Sequence, residues 1–167
     1  HMYSNLQEQP LVSIIIPTYK HAHLLGRSID SVISQSYQNW ELIVVDNSSN
    51  DGSEELVSSY QNKKILFFSI DNKGIIARSR NLGIMNSKGQ WIAFLDADDW
   101  WTPLKLEASI NAAKIHDVDL VYHDLKISKY LHQKIIFKKL KSTQYQEPVF
   151  QSLLQNGNMI FNSSVLV

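Results

Sequence analysis

The chain has 167 residues, a length typical of one domain that buries its own core. Its 16 lysines and arginines balance 16 aspartates and glutamates, so no net charge indicates a nucleic-acid-binding protein. The sequence has no cysteine for a disulfide framework and no apolar run of about 18 residues that would span a bilayer, and we expect a cytoplasmic protein.

Short apolar runs alternate with helical patterns, which predicts an α/β domain with a mostly parallel sheet flanked by helices. Strands are predicted at 12–16, where Pro17 ends the strand, and at 41–45, 65–70 and 91–95. Helices are predicted at 22–36, at 75–86 and at 102–116. Another helix is predicted to follow the turn cluster 47–52 and to end at about residue 60. For the helix at 102–116, Thr102 is the predicted N-cap and Pro103 the first helical residue.

The remainder of the chain has weaker patterns. Alternating apolar residues predict strands at 119–127 and 134–140, arranged as a hairpin. A helix is predicted at 147–155 and a last strand at 159–167. Residues 1–2 are typical of a cloning remnant, and residues 3–167 are predicted to form a single domain.

An acidic cluster follows the strand at 91–95. Asp96, Asp98 and Asp99 directly precede Trp100 and Trp101. Like charges this close repel one another, and a divalent cation such as Mg²⁺ or Mn²⁺ compensates them with oxygen ligands while substrate phosphates complete its coordination. The pattern therefore indicates a nucleotide enzyme. Aspartates also favour turns after strands, and the tryptophans suit either core packing or sugar stacking, so these structural alternatives stay open.

Three polar clusters occupy the carboxyl ends of predicted strands. They are Pro17-Thr18-Tyr19, the pair that begins with Asp46, and the acidic cluster at 96–99. In an open parallel sheet these ends share one edge, and ligands bind there, at a reversal of strand order. We therefore expect the clusters to line one site.

Four segments carry a resemblance to a known family. They read VSIIIPTY (12–19), ELIVVDNSSNDG (41–52), RNLG (80–83) and GQWIAFLDADD (89–99). In this order and spacing they resemble the motifs of family 2 glycosyltransferases, over about residues 11–115. The resemblance implies the GT-A (Rossmann-like) fold and a metal-assisted, inverting transfer of a sugar from a nucleotide diphosphate sugar, most often a UDP- or dTDP-sugar, to an acceptor hydroxyl.

The resemblance also implies roles for single residues. The implied nucleotide-binding residues are Pro17, Thr18, Tyr19, Asp46, Arg80, Asn81 and Asp96. Asp98 is the implied ligand of a divalent metal, Mn²⁺ or Mg²⁺; Asp96 is the second candidate and Asp99 the weakest. Asp46 would read the base, with capping of the following turn as its alternative. Arg78 lies two residues from Arg80 on the predicted helix, so at most one of the two faces the site.

The sequence departs from the family pattern after the acidic cluster. An inverting transfer needs a general base, and no carboxylate follows Glu147. We therefore expect 11–115 to be the nucleotide-sugar-binding half and 116–167 an incomplete acceptor-side half, truncated at its C-terminus. Such a chain would bind a nucleotide and metal but transfer sugar poorly. A non-catalytic nucleotide-sugar-binding module is the alternative.

The stretch from Lys126 to Lys141 contains six lysines and no acid. It predicts either a solvated hairpin or a surface that contacts anionic lipid or a phosphorylated acceptor. Such a surface would suit a glycan or lipid-linked acceptor in polysaccharide biosynthesis. A phosphatase with an aspartate nucleophile is disfavoured, because its motif follows the first strand and has Thr or Val where Trp100 stands. A dinucleotide-binding oxidoreductase is disfavoured by the missing glycine-rich motif after the first strand.

Overall fold

The computed structural model describes residues 9–131, 134–142 and 160–167. Four parallel strands form its sheet: β1 (Val12–Thr18), β2 (Trp40–Asp46), β3 (Ile65–Ser69) and β4 (Trp91–Phe94), in the order β3-β2-β1-β4. The predicted α/β architecture is confirmed. The chain runs outward from β1 to β3 and then returns to the other side of β1, so the strand order reverses between β1 and β4.

Helices flank this sheet. They are α1 (Ala22–Ile33), α2 (Ser53–Ser59), α3 (Ile76–Met85) and α4 (Lys105–His116). Helix α3 packs closely on β1: a Cβ added at Gly83 would lie 2.5 Å from the Ile15 side chain. Strand β1 is buried at every position, as expected for a strand covered on both faces. Among the described residues, no helix has the length and apolar character needed to cross a bilayer.

Strand β1 continues through Pro17 to Thr18, so the prediction that Pro17 ends the strand is wrong. The Thr18 carbonyl accepts the Asn47 N–H on the β2 side, and the Ile15 carbonyl accepts the Leu95 N–H on the β4 side. Backbone groups alternate between neighbours along a strand, so an N–H at Pro17 would point to the β4 side. Strand β4 pairs with β1 only as far as Ile15, and the missing N–H therefore costs no hydrogen bond.

Helix α4 begins at Lys105, later than predicted, and Leu104 rather than Thr102 is its N-cap. The Lys105 N–H bonds to the Thr102 carbonyl in a turn, and the Gln35 side chain donates to the same carbonyl. This tertiary hydrogen bond holds residues 102–104 in a turn outside the helix.

Beyond α4, strands β5 (Leu125–Leu131) and β6 (Lys134–Leu140) form an antiparallel hairpin, as predicted, although β5 starts later than expected. The predicted helix at 147–155 lies outside the described residues. In place of a continuous strand at 160–167, the chain forms a 3₁₀ turn (Asn162–Ser164), and Leu166 then bridges Ala93 and Val121. Leu166 is fully buried, so this short segment extends the core beyond β4.

Candidate functional site

A cavity of about 840 Å³ opens at the carboxyl ends of β1 and β4, where the strand order reverses. We call it the sheet-edge cavity. Its lining residues are Pro17, Thr18, Tyr19, His21, Asn47, Ser48, Asp71, Asn72, Gly74, Ile76, Ser79, Asp96, Ala97 and Asp98. The segments that follow all four parallel strands therefore contribute to one cavity, whereas the polar clusters in the sequence predicted contributions after β1, β2 and β4 only.

The end of β1 contributes a buried hydroxyl to this cavity. Thr18 is only 5% exposed, and its Oγ1 has no hydrogen-bond partner among the described residues. A buried polar atom without a partner is costly, so this hydroxyl is available to a ligand. The next residue, Tyr19, is about half exposed and also lines the cavity.

Asp46 caps the turn after β2. Its Oδ2 accepts the Ser49 N–H at 2.8 Å, and its Oδ1 accepts the Ser49 hydroxyl. Asp46 is buried and does not line the sheet-edge cavity, whereas the next residue, Asn47, does. The structure thus adopts the turn-capping alternative, and contact of Asp46 with a base stays a prediction.

The loop between β3 and α3 is organised by Asn72, which sequence reasoning missed. Its buried side chain donates to Ser79 Oγ at 2.9 Å and accepts the Gly74 N–H at 2.9 Å. Gly74 has φ +74°, a left-handed conformation that favours glycine. The Asn-Lys-Gly sequence was the available signal for this turn. The Asn47 side chain accepts the Asn72 N–H at 2.8 Å and joins two walls of the cavity.

Asp96 and Arg80 form an ion pair at the floor of the cavity. Arg80 Nη2 lies 2.9 Å from Asp96 Oδ1, and both side chains are partly buried. Arg78 is exposed, so Arg80 is the arginine that approaches the site. Asn81 is also exposed and is not part of the cavity wall that the described residues form. The structure brings Arg80 to the site but not its predicted partner Asn81.

The three acids of the cluster separate in space. Asp98 is exposed on the cavity wall, whereas Asp99 does not line the cavity and accepts the Ser163 hydroxyl at 2.5 Å. Burial, followed by the nearby charges of Asp98 and Asp96, raises the pKa of Asp99 against the opposing hydrogen bond from Ser163. Within the described ranges, no three Asp, Glu, His or Cys side chains converge as a metal site.

Helix α1 anchors the acidic loop through one polar face. Arg27 Nη2 donates to the Asp98 carbonyl at 2.9 Å, and Ser28 Oγ lies 2.8 Å from the Ala97 carbonyl and 2.6 Å from that of Asp99. One turn later, Ser31 Oγ accepts the Trp101 N–H at 3.1 Å. Sequence reasoning missed this face; its signal was small polar residues at helical spacing on the buried side of α1.

The face ends at Gln35, just beyond α1. Gln35 accepts the Leu106 N–H at 2.9 Å and donates to the Thr102 carbonyl at 2.8 Å. Side chains of α1 and the adjoining Gln35 therefore hydrogen-bond to the backbone of both the acidic loop and the start of α4.

The two tryptophans have different environments. Trp100 is 43% exposed, and the Arg27 guanidinium lies 3.9 Å from its ring centroid. Trp101 is 5% exposed, and its Nε1–H donates to the Ser163 carbonyl at 2.7 Å. Trp101 therefore packs in the core, and only Trp100 is available to a ligand.

Comparison with known proteins identifies the relatives of this chain. The model of "Glycosyl transferase family 2" matches residues 13–156. An Escherichia coli relative, UDP-Glc:alpha-D-GlcNAc-diphosphoundecaprenol beta-1,3-glucosyltransferase WfgD, is 35% identical over 138 residues, which is 78% of this chain and 54% of the relative. An uncharacterized glycosyltransferase of Rickettsia typhi is 36% identical over 140 residues, 83% of this chain and 41% of the relative. The chain thus spans about half the length of these relatives.

Solved structures give the same fold. S. aureus TarS 1-349 in complex with UDP superposes with a TM-score of 0.62 at 26% identity, over 65% of this chain and 33% of the TarS 1-349 chain. Its complex with UDP-GlcNAc gives the same TM-score of 0.62. The parallel sheet and its flanking helices are therefore those of a GT-A glycosyltransferase.

Proposed function

Since this chain belongs to glycosyl transferase family 2, we propose that its sheet-edge cavity binds a nucleotide diphosphate sugar for inverting transfer to an acceptor hydroxyl. One observation carries the proposal: Thr18, Asp96 and Asp98 converge on a single cavity where the strand order reverses. Ligands of open α/β sheets bind at such a reversal. A UDP-sugar is the first donor to test and a dTDP-sugar the second, because the TarS structures contain UDP and UDP-GlcNAc.

The cavity offers polar groups suited to a nucleotide. The Thr18 hydroxyl lacks a partner among the described residues and would gain one from the donor. The wall formed by Asn47, Ser48 and Asn72 adds further hydrogen-bonding groups around the nucleoside. Asp46 supports this wall by capping the turn after β2. Its carboxylate can hydrogen-bond to the base only if it gives up a hydrogen bond from Ser49.

The acids fit a hard divalent cation such as Mn²⁺ or Mg²⁺. The fit rests on the exposed carboxylate of Asp98 and on Asp96, which lines the same cavity. Such ions are bound by one or two carboxylates together with water and substrate phosphates, which agrees with the lack of a three-acid cluster among the described residues. When bound, the ion supplies positive charge to the leaving diphosphate.

The remaining residues orient these groups. Arg80 holds Asp96 through its ion pair, and Arg27 and Ser28 hold the backbone carbonyls on either side of the Asp98 side chain. A preorganised carboxylate needs little rearrangement when the donor binds, which is how such sites favour the transition state. Asp99 instead supports the loop through Ser163.

The proposal extends to the acceptor and the location. The E. coli relative is named for a diphosphoundecaprenol-linked acceptor, so a lipid-linked glycan of polysaccharide biosynthesis is the acceptor class we favour. The β5–β6 hairpin, with Lys126, Lys138 and Lys141 exposed, would then face anionic lipid at the cytoplasmic side of a membrane.

Isothermal titration calorimetry with UDP, with and without Mn²⁺, tests the proposal. We expect Asp98→Asn to weaken UDP binding by about 10–100-fold in the presence of Mn²⁺. Without Mn²⁺ the affinity for UDP should change little, because only the ion links Asp98 to the diphosphate. Asp119→Asn is the matched control, an exposed aspartate away from the cavity, and should bind like the wild type. Equal Mn²⁺-dependent binding by wild type and Asp98→Asn would exclude the proposed metal site. If the wild type does not bind UDP with or without Mn²⁺, a UDP-sugar is excluded as the donor.

A further inference from the structure

A second cavity, of about 400 Å³, lies between α4 and the segment that leads into β5. Lys105, Ser109, Tyr122 and His123 are among its lining residues. It shares no lining residue with the sheet-edge cavity, so the proposed donor site does not account for it. We call it the α4 cavity.

Lys105 is the unusual residue of the α4 cavity. It is 6% exposed, and its Nζ has no hydrogen-bond partner among the described residues. The ammonium lies 4.1 Å from the ring centroid of Trp101, a contact that offsets only part of its lost hydration. Burial lowers the pKa of Lys105 to about 7. A buried ammonium without a counter-ion is unfavourable, so an anion bound beside Lys105 would be stabilising.

His123 also lines the α4 cavity and has a second unsatisfied group. Its Nδ1 lies 2.8 Å from the Asp124 carbonyl, but its Nε2 is buried without a partner in the described part of the chain. Burial, with a contribution from the charge of Lys105, lowers the pKa of His123. The adjacent carboxylate, Asp124, already pairs with Lys139 at 2.8 Å and accepts the Ser142 N–H at 2.8 Å.

We propose that the α4 cavity binds an oxyanion group, a phosphate or a carboxylate, between Lys105 Nζ and His123 Nε2. Both atoms are nitrogen donors when protonated, and charge-assisted hydrogen bonds to an oxyanion satisfy both at once. The acidic loop is connected to this site, because Trp101 stacks on Lys105 and also donates to the Ser163 carbonyl, while the Ser163 hydroxyl bonds to Asp99.

Binding should take up protons. An anion favours the protonated forms of Lys105 and His123, so its affinity rises as the pH falls from about 8 to about 6. The other charged or titratable groups around the site are Tyr122 on the cavity wall, Asp124 with its partner Lys139, and His116 at the end of α4. The hydrogen bonds from Lys139 and from the Ser142 N–H lower the pKa of Asp124, so this carboxylate does not reverse the direction.

The test is an NMR titration of the ¹⁵N-labelled 167-residue chain. Inorganic phosphate is added in one arm and acetate in the other, and the signals of His123 Nε2 and Trp101 Nε1 are followed. We expect saturable shifts of both signals in at least one arm, tighter at about pH 6 than at about pH 8. The arm that saturates distinguishes phosphate from carboxylate. His21 lines the sheet-edge cavity, so a shift of His21 alone reports an anion in that other site and contradicts the proposal.

Two variants and a control complete the test. Lys105→Met keeps the length of the side chain and should weaken binding by at least about tenfold, the loss expected for one charge-assisted hydrogen bond. His123→Gln should also weaken binding, read from the Trp101 signal, and it serves if Lys105→Met fails to fold. Lys138→Met removes an exposed lysine outside the cavity and should bind like the wild type. Absence of any saturable shift, or equal affinity in both variants and the wild type, would overturn the proposal. The result does not depend on UDP binding, so the two proposals fail separately.

Discussion

Lys105 imposes a pH dependence on the stability of the domain. Its pKa is lowered from 10.5 to about 7 by burial. Between these two values the unfolded chain binds a proton that the folded chain does not. Stability therefore increases with pH across this window and is lost as the pH falls through it.

Replacing Lys105 isolates this effect. We expect Lys105→Met to be more stable than the wild type near pH 7, because a buried unpaired ammonium is removed. The difference should shrink as the pH rises towards about 9, by up to about 1.4 kcal/mol per pH unit for one proton. Urea unfolding of both proteins over this range measures it, with Lys138→Met as the exposed-lysine control. A difference that stays constant with pH would mean that Lys105 titrates normally in the folded chain.

The site residues differ in whether a short stretch of sequence is enough to predict their position. Thr18 ends β1, and Asp96 and Asp98 lie within four residues of the end of β4, so their position at the sheet edge could be predicted from the apolar runs before them. Asp46 was placed correctly at a strand end, but its carboxylate turns back to Ser49. Ser163 could not be predicted, because 64 residues separate it from Asp99 and no local pattern marks a hydroxyl as a loop support.

Helix α1 and the adjoining Gln35 support the acidic loop and the start of α4. We expect a substitution of Gln35 to lower stability measurably. Gln35 is 1% exposed and satisfies the Leu106 N–H and the Thr102 carbonyl together. We expect Gln35→Met to destabilise folding by about 1–3 kcal/mol, because the buried Leu106 N–H loses its partner while the Thr102 carbonyl keeps only the Lys105 N–H. Denaturant unfolding measures the change.

Gln90→Met is the matched control. Gln90 is an exposed glutamine before β4, and its substitution should change stability by no more than about 0.5 kcal/mol. If Gln35→Met unfolds at the same urea concentration as the wild type, Gln35 does not hold the loop in solution.

The sheet and helices could largely be predicted, because the buried strands read as continuous apolar runs and the helices between them have helical spacing. The errors lie where tertiary contacts override local signals. Thr102 and Pro103 form a good helix start in isolation, but the bond from Gln35 to the Thr102 carbonyl moves the start to Lys105. Proline usually ends a strand because it has no N–H to donate. Pro17 lies beyond the last residue of β1 that pairs with β4, so no hydrogen bond is lost there.

For the whole molecule, the proposed contact of the β5–β6 hairpin with a membrane can be tested through its lysines. Lys139 pairs with Asp124, whereas Lys138 and Lys141 are exposed. The double variant Lys138→Glu/Lys141→Glu therefore tests lipid contact without breaking that ion pair. We expect it to lower binding to vesicles that contain phosphatidylglycerol by about 30-fold, from about 1 kcal/mol per lysine. Sedimentation with vesicles measures it, and about 0.5 M salt should weaken wild-type binding.

Lys63→Glu/Lys88→Glu is the control with the same change in charge away from the hairpin. Equal losses in the two double variants would mean that only net charge matters. Wild-type levels of binding in the hairpin variant would exclude it as the lipid contact.

The support of the acidic loop by Ser163 has a consequence for synthesis of the protein. Trp101 leaves the ribosome 62 residues before Ser163, the residue whose carbonyl it contacts. At about 5–20 residues per second, the growing chain carries β1 to β4 and the acidic loop for roughly 3–12 s before that support exists. During this interval helix α1 and Arg80 hold the loop, whereas Asp99 and Trp101 still lack their contacts with Ser163.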